Sequence, residues 1–170
     1  MHLNNYDYII GLADRTVRRS GTRNADRIAE ELGITVYEVP FTRQKGVYRV
    51  IERNRYIFLK DDLTDTMRSI VLLHEIGHDR LHRKQAVQFQ EFNLFDMTAS
   101  RMEYEANLFA AQVMLPDEEV TGYILQGCSV DQIASIMGSD INLVALKAAD
   151  LSRRGCSFHP QEYSGKFLNE

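Results

Sequence analysis

The spacing of apolar residues changes several times along the chain, and each change marks a predicted element. Ile9, Ile10, Leu12, Ala13 and Val17 give one apolar face to a helix over Asp7 to Arg19. Asn24 caps a second helix, Ala25 to Leu32, which Gly33 ends. Ile34 to Val39 is rich in β-branched residues and stops at Pro40, as a strand would. Val47 to Ile51 and Tyr56 to Leu59 then read as a hairpin around Arg53-Asn54. The period returns to that of a helix near residues 65–82, where Met67, Ile70, Val71, His74, His78 and Leu81 recur at three- and four-residue steps. Thr64 or Asp65 caps it. A further helix lies around residues 101–111. The segment between, 83–100, is unusually apolar for a connection, with Phe89, Phe92, Leu94, Phe95 and Met97. Burial over the core is its first explanation, and a flap over the site its second.

Near the C-terminus, Ser129 and Gln132 form a capping box that opens a helix to Met137. Gly138 ends it, Ser139 or Asp140 caps the next, and Ile141 to Leu151 continues. Residues 156–170 have no periodicity and are expected to be extended or disordered. The fold class is therefore α+β: a small three-stranded sheet packed on one central helix, followed by a C-terminal helical region. The expected division is a main domain over 1–126, a helix-turn-helix-like subdomain over 127–155 and a tail over 156–170. A strand beside the central helix would offer an extended peptide an edge to pair with, though the sequence does not say which strand.

Composition narrows the function classes. The 170 residues are 44% hydrophobic, enough for one compact domain with a small appendage. A net charge of −4 gives no broad electrostatic reason to bind nucleic acid or an anionic membrane. No apolar run approaches the ~20 residues of a membrane span. The start, Met1-His2-Leu3-Asn4-Asn5, lacks the regions of a signal peptide. Cys128 and Cys156 form no CxxC pair, and reduced thiols in a cytoplasmic protein are expected.

The chemistry lies in His74-Glu75-Ile76-Gly77-His78, an HExxH pentapeptide inside the central helix. Histidines four apart project about 40° and about 6 Å from each other, so both imidazoles can reach one Zn²⁺. Glu75 is then placed to take a proton from a water activated by the metal. The bland alternative, an amphipathic helix with two incidental histidines, leaves Glu75 without a partner beside the buried face. It also leaves Gly77 unexplained, since glycine costs roughly 1 kcal/mol of helix propensity. Close approach of another backbone or of a substrate would explain it.

Catalytic zinc usually has three protein ligands. His82 lies eight residues past His74, about 12 Å along a continuous helix, and one ion cannot hold both. It is expected to be structural or to support a ligand. The HExxHxxGxxH spacing is absent, since Leu81 and Lys84 occupy its last two positions. The helix around 101–111 offers Glu103 and Glu105, about 200° apart, so only one can face the metal. Glu103 shares its face with Asn107, Ala110 and Met114, where alanine permits close approach and Asn107 could accept a hydrogen bond from a ligand imidazole. Glu105 sits one turn after Arg101, as a solvated ion pair would. Glu103 is favoured as the third ligand, with Glu105 as the alternative. His159, Tyr163 and Tyr104 could each stabilise an oxyanion, and nothing in the sequence selects among them.

The C-terminal helix pair looks like a helix-turn-helix unit. Between Asp140 and Leu151, however, Lys147 stands alone against two aspartates, and only Asn142 and Lys147 suit contacts to phosphates or base edges. Packing or protein docking is favoured over direct DNA binding.

The stretch "IAEELGI", the hairpin, "HEIGHDRLH" at 74–82 and "EYEANLFAAQVMLP" at 103–116 resemble the ImmA/IrrE-type metallopeptidases over most of the chain. The resemblance implies a zincin-like fold, with His74 and His78 as zinc ligands, Glu75 as the catalytic glutamate, and Glu103 as the glutamate of an ExxAN-type segment. It also implies a mobile-element or phage setting, and cleavage or inactivation of a helix-turn-helix repressor that releases transcription. The competing expectation is a non-catalytic regulator: a metal-stabilised protein that binds a partner, or a DNA-binding module using the helix pair.

Overall fold

The computed structural model describes residues 5–88 and 97–156. Seven helices and a three-stranded sheet follow the order α1 (Asn5–Ser20), α2 (Ala25–Glu31), β1 (Ile34–Val39), β2 (Gly46–Ile51), β3 (Asn54–Lys60), α3 (Asp65–Gln88), α4 (Met97–Met114), α5 (Asp117–Leu125), α6 (Val130–Met137) and α7 (Ile141–Arg153). The α+β class is the expected one, a small sheet against the helix that carries the HExxH motif, with further helices after it.

The sheet is mixed. Its order is β1-β3-β2, with β3 parallel to β1 and antiparallel to β2. The hairpin turn is Glu52-Arg53, one residue earlier than expected, and both residues have positive φ (49° and 68°). That is the handedness a two-residue hairpin requires. Along β3, Ile57 and Leu59 are buried, while Tyr56 and Phe58 alternate to the other face and stack with Tyr37 of β1.

Asp79 of α3 fixes the sheet to the helix. Its buried carboxylate accepts from the Tyr48 hydroxyl of β2 at 2.7 Å, from Arg55 of β3 at 3.1 Å, and from Arg83 at 2.9 Å. Burial, then Asp79, raises the Tyr48 phenol above its ordinary range, so it stays a donor. Three donors offset the cost of burying this anion.

Helix α3 runs past the predicted end at 82, continuing to Gln88 across a kink at His82 (φ −124°, ψ 17°). Residues 83–88 and 97–100 are thus helical, while most of the apolar connection lies in 89–96, outside the described residues. The expected C-terminal tail, with His159 and Tyr163, also falls outside them beyond Cys156. At its start, Thr64 is the cap: its hydroxyl accepts from the Met67 amide at 3.3 Å.

Helix α4 packs on α3, α1 and α7. Its alanines Ala106, Ala110 and Ala111 are fully buried. The helix pair forms as read. The Ser129 amide donates to Gln132 Oε1 at 2.8 Å, Gly138 turns left-handed (φ 57°), and the Asp140 side chain caps α7 by accepting from the Asn142 amide. Lys147 points into the core, fully buried, and donates to Gln112 and Asp117. One of the two side chains suited to nucleic acid is therefore committed elsewhere.

Candidate metal centre

His74 and His78 project from α3 toward Glu103 on α4. Their Nε2 atoms lie 3.0 Å apart, and Glu103 meets His74 Nε2 at 3.1 Å and His78 Nε2 at 3.2 Å. Atoms held at roughly 2.0–2.1 Å by one tetrahedral ion would lie about 3.3 Å apart. The three side chains could hold a divalent metal.

Their protonation fits that role. His74 Nδ1 contacts Asn107 Oδ1 at 2.7 Å; the carbonyl oxygen can only accept, so Nδ1 carries the proton and Nε2 of the neutral ring is bare. His82 Nε2 donates to Glu105 Oε2 at 2.9 Å, which leaves His82 Nδ1 as an acceptor 3.2 Å from His78 Nδ1. His78 can then donate through Nδ1, which turns its Nε2 to the site as a candidate ligand atom. Two lone pairs and a carboxylate face one another at hydrogen-bond distance, an arrangement that repels unless a cation or a proton lies among them. Burial acts to lower the His74 pKa, yet Glu103 and the charge of Glu75 raise it on balance. Burial opposes ionisation of Glu103, but the two histidines hold its carboxyl far below the usual range. The cluster is an electrostatic trap for positive charge.

Side-chain exposure is 5% for His74, 13% for His78 and 37% for Glu103. The centre is thus closed by α3 and open on the Glu103 side, where a further ligand could enter.

Glu75 packs against β2 of the sheet while lying within reach of the charges of His74, His78 and Glu103. The main-chain N–H of Tyr48 in β2 hydrogen-bonds its carboxylate, and burial pushes the carboxyl above its ordinary range, partly offset by His74 and His78. A Cβ built on Gly46 would lie 2.9 Å from Glu75 Oε1 and 2.5 Å from Val71 Cγ1. Glycine at the start of β2 therefore makes room for the carboxylate. Since β2 is an edge strand beside α3, it supplies the edge that the sequence left unassigned.

Gly77 meets the backbone of α4. A Cβ there would lie 3.1 Å from both Ala106 Cα and Ala106 O. Of the two explanations for that glycine, the close approach is made by a backbone.

The reading of Glu105 as a solvated ion pair is corrected. Arg101 does bind it, at 2.8 Å, but the carboxylate is buried and also accepts from Asn5 Nδ2 at 2.6 Å and from His82. Glu105 and His82 together support His78 from behind. The sequence signal existed: Glu105 shares its stripe with Leu108, Phe109 and Gln112, all buried. Gly46 and the Tyr48 amide had no such signal, because only the fold brings them to Glu75. Tyr104 is partly exposed and packs edge-on against Tyr6 at 5.7 Å.

A family model described as the IrrE N-terminal-like domain, of peptidases, matches residues 29–143. The chain belongs to this family. It is 32% identical over 151 residues to immunity region protein 2 of Bacillus phage phi105, covering 86% of this chain and 92% of that protein. It is 26% identical over 122 residues to metallopeptidase ImmA of Bacillus subtilis (strain 168), covering 70% and 71%. The matched region contains both segments that carry the candidate ligands, and the sheet.

Proposed function

We propose that this protein is a zinc-dependent, site-specific endopeptidase that cleaves or inactivates a helix-turn-helix repressor and so relieves transcriptional repression. The observation that carries the proposal is the pair of imidazole Nε2 atoms that converge on Glu103, with Glu75 buried alongside. Two imidazoles and a carboxylate with one open side suit catalytic zinc. Such an ion, when bound, polarises a scissile carbonyl and lowers the pKa of a water from 15.7 to about 7.

Each residue has a part. His74 and His78 bind through Nε2, oriented by Asn107 and by His82 with Glu105. Glu103 is the third ligand and faces the open side. Glu75 takes a proton from the attacking water and delivers it to the leaving amide nitrogen, and its raised pKa suits both transfers. The outer edge of β2, apart from the Tyr48 amide that Glu75 holds, can pair with the substrate as an added strand, so that a peptide lies extended across Glu75. No covalent intermediate is needed.

The immunity-region name of the phage relative supports a phage or mobile-element setting, and a repressor substrate would place the enzyme in the cytoplasm. Among the described residues no helix is long and apolar enough to cross a membrane. The burial of Lys147 weighs against a DNA-binding regulator.

The test is co-expression with the helix-turn-helix repressor of a neighbouring reading frame, read by intact mass. Wild type should cut at one site, and Glu75→Gln should lose about 10²-fold or more while keeping its metal. A Glu75→Gln variant that cuts at the wild-type rate would refute the general-base role. A metal-loaded wild type that binds the repressor and leaves it whole would favour the metal-stabilised binder.

A further inference from the structure

On the side of α3 away from the metal lies a cavity of about 510 Å³, bounded by the C-terminal half of α1, by α2 and by α3. Four arginines line it: Arg15, Arg18 and Arg19 from α1, and Arg80 from α3. The chain as a whole carries −4, yet one lining acid, Glu31, opposes these four cations. Arg15, Arg18 and Arg19 form no ion pair among the described residues. The helix dipole accounts for Arg18 and Arg19, which sit in the last turn of α1. It does not account for Arg80, which comes from another helix and whose Nε is buried without a hydrogen-bond partner among the described residues. The acid next to it in sequence, Asp79, is taken by Arg55 and Arg83. A buried guanidinium donor without a partner is costly, the three α1 arginines beside it are exposed, and the group that fits the planar fork of each is an oxyanion.

We propose that this cavity is a binding site for a phosphorylated small molecule of nucleoside-phosphate type. Net local charge sets the head group: four cations against one acid suit a di- or trianion better than a single carboxylate. Size and lining set the rest. A volume of 510 Å³ lies within the range of small-molecule sites, and the half-buried Leu32, over the fully buried Ile28, gives it an apolar wall on which a ring can pack. The site binds rather than transforms its ligand. Its two hydroxyls are turned to the main chain, Thr16 donating to Leu12 O at 2.9 Å and Ser20 to Thr16 O at 2.8 Å. Arg80 lies two residues after His78 and roughly 160° around the helix from it, so the cavity and the metal centre occupy opposite faces of α3.

The test uses the full-length, zinc-loaded protein, with thermal unfolding followed by circular dichroism and affinity by calorimetry. Probes are pyrophosphate, a nucleoside diphosphate, sulfate at matched ionic strength, and an oligoglutamate peptide. The nucleoside diphosphate should raise the midpoint by about 5–10 °C near 100 times its Kd, and should bind more tightly than pyrophosphate. Arg80→Met, and separately Arg18→Ala with Arg19→Ala, should weaken binding at least about tenfold. The exposed pair in α1 guards against a folding defect in Arg80→Met. No shift with either phosphate would overturn the proposal, as would preference for the peptide. Pyrophosphate also ligates zinc, so a shift that survives in both variants would place the ligand on the metal and overturn it too. Equal affinity for pyrophosphate and the nucleoside diphosphate would overturn the role of the apolar wall.

Discussion

Replacing Gly77 by alanine sets two known effects against each other. Glycine is about 1 kcal/mol less favourable than alanine inside a helix, so the substitution should stabilise α3. The added Cβ, however, would lie 3.1 Å from Ala106 Cα and O and 3.3 Å from Ala106 Cβ. Carbon atoms in contact prefer about 3.5–4.0 Å, so α4 would have to retreat by roughly 0.4–0.9 Å. The obstacle is mainly backbone, and no rotamer change relieves it. Overpacking of this kind costs about 1–3 kcal/mol, and the net loss of stability should be roughly 0–2 kcal/mol. The effect on the metal centre should be larger in proportion. Ala106 and Glu103 are one turn apart on the same side of α4, and metal bonds tolerate only about 0.2 Å. A retreat at Ala106 carries Glu103 away from the two histidines, which belong to α3. Gly77→Ala should therefore lose about 10–100-fold in zinc affinity, the usual range when a supporting contact is lost. Competition with a chromophoric chelator reads the affinity, and urea unfolding of the metal-free protein reads the stability. Metal affinity within about threefold of wild type, with stability raised by about 1 kcal/mol, would show that propensity wins and that the approach of the two helices does not set the site.

Three further outcomes follow from the geometry. Glu103→Ala should abolish stoichiometric zinc, whereas Glu105→Ala should retain it with about 10–100-fold weaker affinity, because the carboxylate acts through His82; metal analysis after dialysis separates the two, and zinc lost only from Glu105→Ala would reverse the assignment. Asp117→Ala should cost on the order of 3 kcal/mol in urea unfolding and Lys147→Met distinctly less, because the first strands a fully buried ammonium and the second leaves Asp117 still paired with Arg154 at 2.5 Å; the reverse order would refute that reading. Despite burial, Arg154 and Lys147 hold the Asp117 carboxyl well below its ordinary range, so its contribution is complete above about pH 3.9, the unfolded value, and is lost as pH falls through that value toward the folded one; Asp117→Asn should flatten the acid limb of a stability–pH curve.

The parts of this fold that were legible in the sequence are those whose signal is local. The periodic segments became helices within a few residues of the expected bounds, and Asn24, Gly138 and Asp140 cap or end helices where their chemistry requires. The misreadings come from context. A single-residue shift of the hairpin turn placed Glu52 and Arg53 at positive φ, a conformation neither residue type advertises. The kink at His82 leaves no sequence signal because its neighbours continue as good helix formers, and the apolar period that marks α3 ends at Leu81. Glu105 was judged by Arg101, its neighbour in sequence, when His82 and Asn5 approach it from other helices.

The same contrast explains the two faces of α3. On one face, a fixed four-residue spacing brings His74 and His78 together whatever the rest of the fold does, so the chemistry can be read from five letters. On the other, Arg80 shares a cavity with three more arginines only because α1 and α2 lie beside it. Taken singly, each of those arginines reads as a solvated charge. Charge that gathers across elements leaves no motif, and it is found by asking which buried donors lack a partner. Arg80 Nε is such a donor among the described residues, and it lies within the same helix as the candidate ligands His74 and His78. Asp79 ties that helix to the sheet and Gly77 brings it against the backbone of α4, so a ligand at Arg80 and an ion at His78 would bear on the same helix. Any change that binding at one face makes in the affinity at the other would be equal in both directions, as thermodynamic linkage demands.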